Sequence, residues 1–449
     1  MNLEKFLFKK ISVWVLLLLI IFFIIFTLFF GGLVLRSETA QKLVMIPKNI
    51  KIFFSKDLDL GFYSDRFKNK KGLIFYKNNS VFLEDKYLLL SKYSGKEKRS
   101  IVELISLKDG QTIHKWKPNF EKINKESNLS NEIINFKRDH NNKRYQMIHP
   151  YLMNNGDLFY HSIYQSPLIK IDICSDLISS LDMFTHHSIE SDGEGLWTPI
   201  SYLPSKNNPG LDENKGPNKT FFYDDGILKV NFDNEKVFEK SFIEILIENE
   251  LSHLVFGGRI PFHDSLHLND IQPVMSDGKY FRKGDLFLSF RNMSMIFLYR
   301  PSNNKIIWYK QFPWEFQHDV DILDDKRISI FNNNRFRSQL NQNIKYNDLI
   351  IYNFENDKTN YIFKDEFKLL KIKTMEEGLA ELFKDGSVFI EETSNGRLLM
   401  LDKNGEKIWE YINRSDNNKL YRLNWSRIID LDIEKFKQNL INKNKCVNE

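Results

Sequence analysis

The sequence predicts an all-β fold, a six-bladed β-propeller that follows a single N-terminal transmembrane helix. Three observations lead to this prediction. Phe and Tyr are abundant, with 38 and 18 residues, and such side chains favour strands. After residue 70, short apolar segments alternate with turns of Asn, Asp, Gly and Lys. A four-strand pattern then returns at intervals of roughly 50 residues, which is typical of propeller blades.

One half of each repeat is a hairpin of two apolar strands around a polar turn. The turns lie at Asp109-Gly110, Asp172 to Asp176, Asp233-Asn234, Asn303-Asn304, Glu355-Asn356 and Asn404-Gly405. Strand, turn and strand at this spacing predict hairpins. We expect the segment from Tyr421 to Trp425 to join the first blade and close the ring, because closure leaves only short sheet edges. Residues 241–251 predict a short helix, and residues 207–220 predict a surface loop.

The N-terminal region predicts a membrane anchor. Residues 11–35 contain no charged side chain, and about 20 apolar residues span a bilayer core. Lys5, Lys9 and Lys10 precede this run, so the positive-inside rule places residues 1–10 in the cytoplasm. We expect a juxtamembrane segment at 36–70, the propeller at 71–432 in the bacterial periplasm, and a polar C-terminal tail at 433–449. A cleaved signal peptide is the alternative, although its apolar region is normally shorter.

The charge and the cysteines narrow the choice of partners. The net charge is +5 and the basic residues are spread along the chain, so nucleic acid is not expected as a partner. The two cysteines, Cys174 and Cys446, form a disulfide or stay free in an exported domain, and the sequence leaves both states open. The oligomeric state is also left open.

Four histidines, His149, His187, His267 and His318, begin the first strand of successive repeats. In a propeller these strands line the central channel, so their first residues converge. Any one of them taken alone is also explained as a buried imidazole that a neighbour satisfies. Four histidines at equivalent positions favour a shared site. Strand alternation predicts that residues 186 and 319 point away from that site.

Arg291 ends the second strand of the His267 repeat, where a guanidinium could bind an oxyanion in bidentate fashion. A salt bridge with a channel carboxylate is the alternative. Asn269 and Asn332 could donate to the same anion or cap turns. Imidazoles also bind metals, but no HxH or HExxH spacing is present, so neither a metal nor a cofactor is expected.

The order of these residues resembles the arylsulfotransferase family, the six-bladed propeller enzymes of the bacterial periplasm. The resemblance is carried by the segments His186-His187, His267 with Asn269, Ser289-Phe290-Arg291, and Gln317-His318 followed by Phe331-Asn332. It implies transfer of a sulfuryl group from an aryl sulfate to a phenolic acceptor without a nucleotide donor. The well-known secreted members carry an added N-terminal β-domain and often form dimers, whereas this chain begins with an apolar segment.

The resemblance also implies roles for individual residues. His318 matches the nucleophile that forms a sulfo-histidine intermediate. His187, His267 and Arg291 match residues that bind the sulfuryl oxygens and assist the leaving phenol. We also expect substrate-binding roles for His149, Asn269 and Asn332. The aromatic residues that could stack an aryl ring are Phe256, Phe262, Phe312, Trp314 and Phe316. Two alternatives stay open: a non-catalytic binding or assembly module, and a hydrolase that gives the sulfuryl group to water.

Overall fold

The computed structural model describes residues 12–34, 60–77, 83, 85–129, 136–203, 223–256, 264–335, 346–442 and 446. The loop predicted at 207–220, Phe262, and residues 36–59 of the predicted juxtamembrane segment lie outside the described residues. Internal contacts divide the chain into two units, residues 1–58 with 210–220, and residues 59–209 with 221–449.

The first unit contains the helix α1 (Val13–Val34), which the uncharged apolar sequence predicts. Its side chains are described as far as Thr27 and are exposed. Within the described residues, no helix has the length and apolarity needed to cross a membrane. The predicted transmembrane helix is therefore not supported by the structure.

The second unit consists mainly of antiparallel strands. In chain order these are β1 (Gly72–Phe75), β2 (Lys86–Ser94), β3 (Arg99–Ser106), β4 (Thr112–Trp116), β5 (Met147–Leu152), β6 (Leu158–Ser162), β7 (Ser166–Ile171), β8 (Leu177–Thr185), β9 (Glu190–Ser191), β10 (Leu196–Tyr202), β11 (Asp224–Val230), β12 (Lys236–Ser241), β13 (Leu268–Pro273), β14 (Leu286–Phe290), β15 (Met295–Arg300), β16 (Lys305–Gln311), β17 (Asp319–Ile322), β18 (Arg327–Asn332), β19 (Asp348–Asn353), β20 (Lys358–Ile362), β21 (Leu379–Leu382), β22 (Val388–Glu392), β23 (Arg397–Leu401), β24 (Lys407–Ile412) and β25 (Arg427–Asp430).

Short helices lie between some of these strands. They are α2 (Phe120–Asn124), α3 (Phe136–Asp139), α4 (Phe242–Glu248), α5 (His253–Phe256), α6 (Lys364–Leu369) and α7 (Ile433–Asn442). Helix α4 confirms the helix predicted at 241–251. The Ser241 side chain begins it by accepting a hydrogen bond from the Glu244 N–H, which satisfies one of the free amides at a helix start.

The strands form a propeller-like series of sheets, which confirms the all-β prediction. Three sheets have four strands, in the orders β25-β2-β3-β4, β13-β14-β15-β16 and β17-β18-β19-β20. One has five strands, β1-β24-β23-β22-β21, and one has eight, β12-β11-β10-β8-β7-β6-β5, with β9 paired to β10. The described residues therefore form five sheets where the sequence predicted six separate blades. The difference arises because Thr185 of β8 pairs with Ile200 of β10 and joins two successive groups of strands.

The C-terminal region differs from the prediction in two respects. The strand that joins the first sheet is β25, which pairs with β2, whereas Leu423 in the predicted closing segment makes only an isolated bridge to Lys92. The predicted polar tail at 433–449 contains α7, whose Phe436 side chain is fully buried against Trp116. A disulfide joins Cys174 to Cys446, so the tail is fixed to the domain.

Carboxylates join the inner strands, which are the first strands in chain order of successive groups of four, such as β13, β17 and β21. Asp270 Oδ2 on β13 accepts the Val320 N–H of β17 at 3.0 Å. Asp319 Oδ2 on β17 accepts the Ala380 N–H of β21 at 2.9 Å. Asp319 thus orients backbone and points away from the histidines, as alternation predicted. These bonds fix the first residues of neighbouring inner strands relative to one another.

Apolar side chains from facing sheets fill the space between them. Phe287 of β14, Val320 of β17 and Ile350 of β19 belong to one fully buried cluster. Burying each such side chain stabilises the fold by roughly 1.5–3 kcal/mol relative to leaving it exposed. The packing therefore holds the inner strands rigidly where the site is built.

Candidate active site

Three of the four repeated histidines share an unusual backbone conformation. The φ angles of His149, His187 and His267 are 45°, 60° and 60°, in the left-handed region. This region costs a non-glycine residue roughly 1–3 kcal/mol and is concentrated at functional sites. Strand alternation does not hold at such a residue. The prediction that His186 points away is therefore wrong, since its Nδ1 lies 2.8 Å from His187 Nδ1.

The His318 imidazole is held in one orientation immediately before β17. Its Nδ1 lies 2.8 Å from Asn333 Oδ1 and 3.1 Å from the Phe316 carbonyl oxygen. Two acceptors around Nδ1 require that this nitrogen carry the proton. The lone pair is therefore on Nε2, which accepts the Glu377 N–H at 3.0 Å. Burial, and next the charge of Arg291, lower the pKa of His318 well below its ordinary value, so the ring is neutral.

Asn333, which sequence reasoning missed, is itself fixed. Its Nδ2 donates to the carbonyl oxygens of Thr374 and Glu377 at 3.2 and 2.7 Å, so its Oδ1 must face His318. The predicted Asn332 is instead engaged by the connection between β16 and β17, accepting the Glu315 N–H at 2.7 Å. The correct asparagine of the run 332–334 could not be chosen from sequence, because three amides in succession offer the same chemistry.

His187 lies at the centre of a group of rings. Its ring centroid is 5.0 Å from that of His267 and 6.2 Å from that of Trp425. The Trp425 ring is fully buried and also lies 6.4 Å from the His318 ring, so it separates and orients the imidazoles. Burial and then the neighbouring imidazoles lower the pKa of His187 well below its ordinary value. Sequence reasoning assigned Trp425 only to a closing strand.

His267 pairs with a carboxylate that sequence reasoning also missed. Its Nδ1 lies 2.7 Å from Asp264 Oδ2, three residues earlier in the chain. Burial opposes ionisation of Asp264, but the hydrogen bond and the charge of His267 outweigh it and hold the pKa of Asp264 below its ordinary value. The His267 carbonyl accepts the Arg291 N–H at 3.0 Å, which places the guanidinium beside the imidazoles.

The Arg291 guanidinium is largely buried and only partly paired. Its Nη2 lies 3.6 Å from Glu376 Oε1, a carboxylate that is 57% exposed. Its Nη1 donates to Asn292 Oδ1 at 3.3 Å, and its Nε has no hydrogen-bond partner in the described part of the chain. The group lies 5.1 Å above the Phe316 ring. The predicted alternative of a salt bridge is thus realised only weakly, and donor capacity remains for an anion.

The other predicted binding residues, His149 and Asn269, differ in whether a polar side-chain atom is without a hydrogen-bond partner in the described part of the chain. Both ring nitrogens of His149 have partners, since Nδ1 accepts the Ile189 N–H at 3.3 Å and Nε2 lies 3.4 Å from Glu190. Asn269 donates to the Gln317 carbonyl at 2.9 Å, while its buried Oδ1 has no partner among the described residues.

Three of the aromatic residues that were expected to stack an aryl ring have different surroundings. Trp314 is 1% exposed and packs against Tyr352 in the core. Phe312 is 62% exposed, and Phe316 lies beneath Arg291. Phe316 thus contacts both the His318 imidazole and the Arg291 guanidinium.

A cavity of 390 Å³ adjoins these groups, large enough for a phenol. Its lining residues are Asp139, Ile163, Tyr164, Gln165, His186, His187, Ser201, Tyr223, Asp225, Asp264 and His267. His187 and His267 belong both to the cavity wall and to the group of rings around His318. Over the described residues, no set of three or more His, Cys, Asp or Glu side chains is arranged to hold a metal ion.

A family model described as Arylsulfotransferase (ASST) matches residues 151–414, which contain all the predicted site residues except His149. A comparison with curated protein sequences gives no significant match. Among solved structures, the chain is similar to a protein of unknown function from Bacteroides caccae, with 10% identity, a TM-score of 0.47, and coverage of 77% of this chain and 98% of the other.

Two further solved structures are similar over most of their length. A chain of a nidogen/laminin complex has 6% identity and a TM-score of 0.41, with coverage of 77% of this chain and 99% of the other. A chain of hydrazine synthase from Kuenenia stuttgartiensis has 9% identity and a TM-score of 0.39, with coverage of 73% and 79%. Each TM-score is below 0.5, so no function is inferred from these similarities.

Proposed function

Because the chain belongs to the arylsulfotransferase family, we propose that it transfers a sulfuryl group from an aryl sulfate to a phenolic acceptor through a sulfo-histidine at His318. The observation that carries this proposal is the orientation of His318. Asn333 and the Phe316 carbonyl hold the proton on Nδ1, so the lone pair is on Nε2. A neutral imidazole with its lone pair fixed in one direction is a competent nucleophile.

In the first half-reaction, the Nε2 lone pair attacks sulfur and the bond between sulfur and the aryl oxygen breaks. The phenolate leaves with that electron pair and takes up a proton. Nε2 must first exchange its hydrogen bond with the Glu377 N–H for the sulfur atom, after which this N–H is available to a sulfuryl oxygen. In the second half-reaction, the acceptor phenol loses its proton and attacks sulfur, and the bond between sulfur and Nε2 breaks.

Arg291 and His267 supply charge where the transition state needs it. The sulfuryl oxygens keep their negative charge throughout the transfer, and fixed donors in a buried site stabilise it. Arg291 has an Nε without a partner in the described part of the chain, and His267 is oriented by Asp264. His187 is on the wall of the cavity, where an aryl oxygen would lie.

The eight-stranded sheet is counted in this proposal as two blades, β5–β8 and β9–β12, which gives six. The hydrogen bonds between successive inner strands support this count. Ile189 N–H donates to His149 Nδ1, Ile271 N–H to Ser188 Oγ, and Trp425 N–H to Glu391 Oε1. Together with the hydrogen bonds of Asp270 and Asp319, these contacts link each group of four strands to the next. An experimental structure with fewer than six units would contradict the count.

The proposal includes a location in the bacterial periplasm. The disulfide between Cys174 and Cys446 supports it, because disulfides persist in oxidising compartments and are rare in the cytosol. A fusion of alkaline phosphatase to the C-terminus is active only outside the cytoplasm. An inactive fusion with a stable product would contradict the location.

The reaction is tested with 4-nitrophenyl sulfate as donor and phenol as acceptor. We expect release of nitrophenolate that accelerates with phenol concentration, and formation of phenyl sulfate. The His318→Asn variant should lose at least about 10⁴-fold in turnover, since a covalent route is removed. Mass spectrometry of the donor-treated enzyme should show one added sulfuryl group in the wild type and none in the variant.

The exposed histidine of α5 provides the control. His253→Asn makes the same chemical change away from the cavity and should keep full turnover. A sulfo-enzyme that still forms in His318→Asn would remove His318 from the nucleophile role. Release that is independent of phenol would favour the hydrolase, and a folded protein that releases no phenol would favour the binding module.

A further inference from the structure

His186 has a partner on each of its two ring nitrogens. Strand β8 ends at Thr185, and the backbone N–H of His186 donates to the Pro199 carbonyl of β10 at 3.2 Å. Its side chain is 5% exposed. Nδ1 lies 2.8 Å from His187 Nδ1, and Nε2 lies 3.0 Å from Ser201 Oγ. The proposed sulfuryl transfer has so far given His186 no role.

The positions of the protons follow from the Ser201 hydroxyl, which has one proton and two lone pairs. Ser201 Oγ donates that proton to Asp225 Oδ1 at 3.0 Å. It accepts from Gln165 Nε2 at 3.1 Å, which leaves one lone pair for His186. His186 Nε2 must therefore carry a proton. Asp225 is fixed in turn, because its Oδ2 accepts the Leu268 N–H at 2.7 Å.

One proton lies between the two Nδ1 atoms, and it has two possible positions. When His186 is neutral, its Nδ1 is bare and His187 Nδ1 donates, so His187 Nε2 has the free lone pair. When His186 is an imidazolium, its Nδ1 donates and His187 Nε2 carries a proton. Asp225 stabilises the second state, since its Oδ1 lies 3.7 Å from His186 Nε2.

We propose that His186, held by Ser201 and Asp225, forms a proton relay with His187 that sets the protonation of His187 Nε2 in both half-reactions. The inference rests on the proposed sulfuryl transfer. In the first half-reaction, His187 Nε2 gives its proton to the leaving phenolate, and His187 Nδ1 takes the proton of His186 Nδ1. In the second, the acceptor phenol gives its proton to His187 Nε2, and the Nδ1 proton returns to His186. The acceptor thus restores the proton that the donor consumed.

Within this relay His186 is a positioning residue and His187 touches the aryl oxygen. General acid catalysis matters most when the leaving phenolate is strongly basic. A nitrophenolate leaves without a proton, whereas an unsubstituted phenolate needs one. Loss of the relay should therefore reduce turnover more for phenyl sulfate than for 4-nitrophenyl sulfate. A role in folding alone would reduce both equally.

The experiment measures kcat/KM for phenyl sulfate and for 4-nitrophenyl sulfate in His186→Asn, Ser201→Ala and the control His253→Asn. We expect His186→Asn to lose roughly 10²-fold with phenyl sulfate and less than about threefold with 4-nitrophenyl sulfate. Ser201→Ala should show the same selectivity with a smaller loss, because the imidazole pair remains. Equal losses with both donors, or no loss with either, would overturn the relay.

A second measurement does not depend on turnover. In ¹⁵N-histidine-labelled full-length protein, the shared proton should give a nitrogen–nitrogen coupling across the hydrogen bond between His186 and His187. It should disappear in His186→Asn and persist in His318→Asn. If the coupling is present but the enzyme transfers no sulfuryl group, the proposed function fails and the proton-sharing pair stands. If the coupling is absent in an active, folded enzyme, the relay is wrong and sulfuryl transfer stands.

Discussion

The inner strands carry two clusters of ionisable groups, and burial shifts the pKa values of the two clusters in opposite directions. The imidazole cluster consists of His187, His267 and His318, which precede β9, β13 and β17, together with Arg291, which follows β14. The carboxyl cluster, a few residues further along, consists of Glu190, Asp270, Asp319, Asp321 and Glu381. Burial lowers the pKa of His187 and His318, and it raises the pKa of Asp319 to about 7 and of Glu381 to about 8. Burial thus favours the neutral form in both clusters.

The difference lies in how each cluster uses its arginine. Arg427 donates to the carbonyl oxygens of Pro150 and Ile189 and lies 3.2 Å from Glu190 Oε1, so its donors are engaged by the protein. Arg291 Nη2 lies 3.6 Å from the largely exposed Glu376, its Nη1 donates to Asn292, and its Nε has no partner in the described part of the chain. A buried guanidinium with donors to spare is suited to an anionic ligand, whereas an engaged one stabilises the fold. The comparison therefore assigns chemistry to the imidazole cluster and stability to the carboxyl cluster.

The largest expected effect separates the two arginines. Arg291→Lys should reduce kcat/KM for aryl sulfates by roughly 10²–10³-fold with little change in Tm, since lysine cannot donate in bidentate fashion. Arg427→Lys should lower the Tm and leave kcat/KM of the folded protein within about threefold. Steady-state kinetics and thermal unfolding of both variants check this. An equal loss of activity in Arg427→Lys and Arg291→Lys would contradict the assignment of chemistry to the imidazole cluster alone.

The second effect tests whether the orientation of His318 matters beyond its presence. Asn333→Ala removes the acceptor at His318 Nδ1, so the ring can turn or change tautomer. We expect sulfo-enzyme formation to slow by roughly 10²-fold. The matched control is Asn347→Ala, because Asn347 donates to the backbone carbonyls of Asn333 and Thr374 but does not hydrogen-bond to His318. Rapid quench with mass detection measures the rate in both, and an equal loss in the control would attribute the effect to the loop.

The sequence predicted the class of fold for a physical reason, which also led to the candidate site. A repeat brings equivalent residues to the same place in successive sheets, so a histidine at each strand start can be found from spacing alone. His187, His267 and His318 were predicted in this way, and the structure brings their rings to within reach of Trp425 or of one another. The number of separate sheets was not predictable, because it depends on the single pairing of Thr185 with Ile200.

The residues that sequence reasoning missed are those that orient the predicted ones. Asp264 and Asn333 lie in connections, where no repeat fixes a position. His186 was assigned to the wrong face because alternation assumes extended backbone, and His187 has a φ of 60°. A histidine pair at the end of a strand, and a carboxylate three residues before a repeat histidine, are local signals that would have pointed to His186 and Asp264.

The smallest expected effect concerns the carboxyl cluster. Burial, and next the charge of Asp319, raise the pKa of Glu381 from its ordinary 4.5 to about 8. A carboxyl with a raised folded-state pKa adds stability that is complete below about pH 4.5 and is lost as the pH rises through about 8. Glu381→Gln removes this loss by keeping the group neutral. We therefore expect its Tm to exceed that of the wild type by about 2 °C at pH 8.5 and to match it near pH 4.5.

Thermal unfolding across this pH range measures the difference between the two proteins. The control is Glu406→Gln, whose carboxylate is exposed and pairs with Lys77, so its effect should be small and should not grow with pH in this way. A Glu381→Gln variant that is less stable than the wild type at pH 8.5 and approaches it as the pH falls would mean that the Glu381 carboxylate is held by an ion pair with Arg427. The carboxyl cluster would then resemble the imidazole cluster in using its charge, because a buried carboxylate is retained at neutral pH only where a paired cation compensates its desolvation.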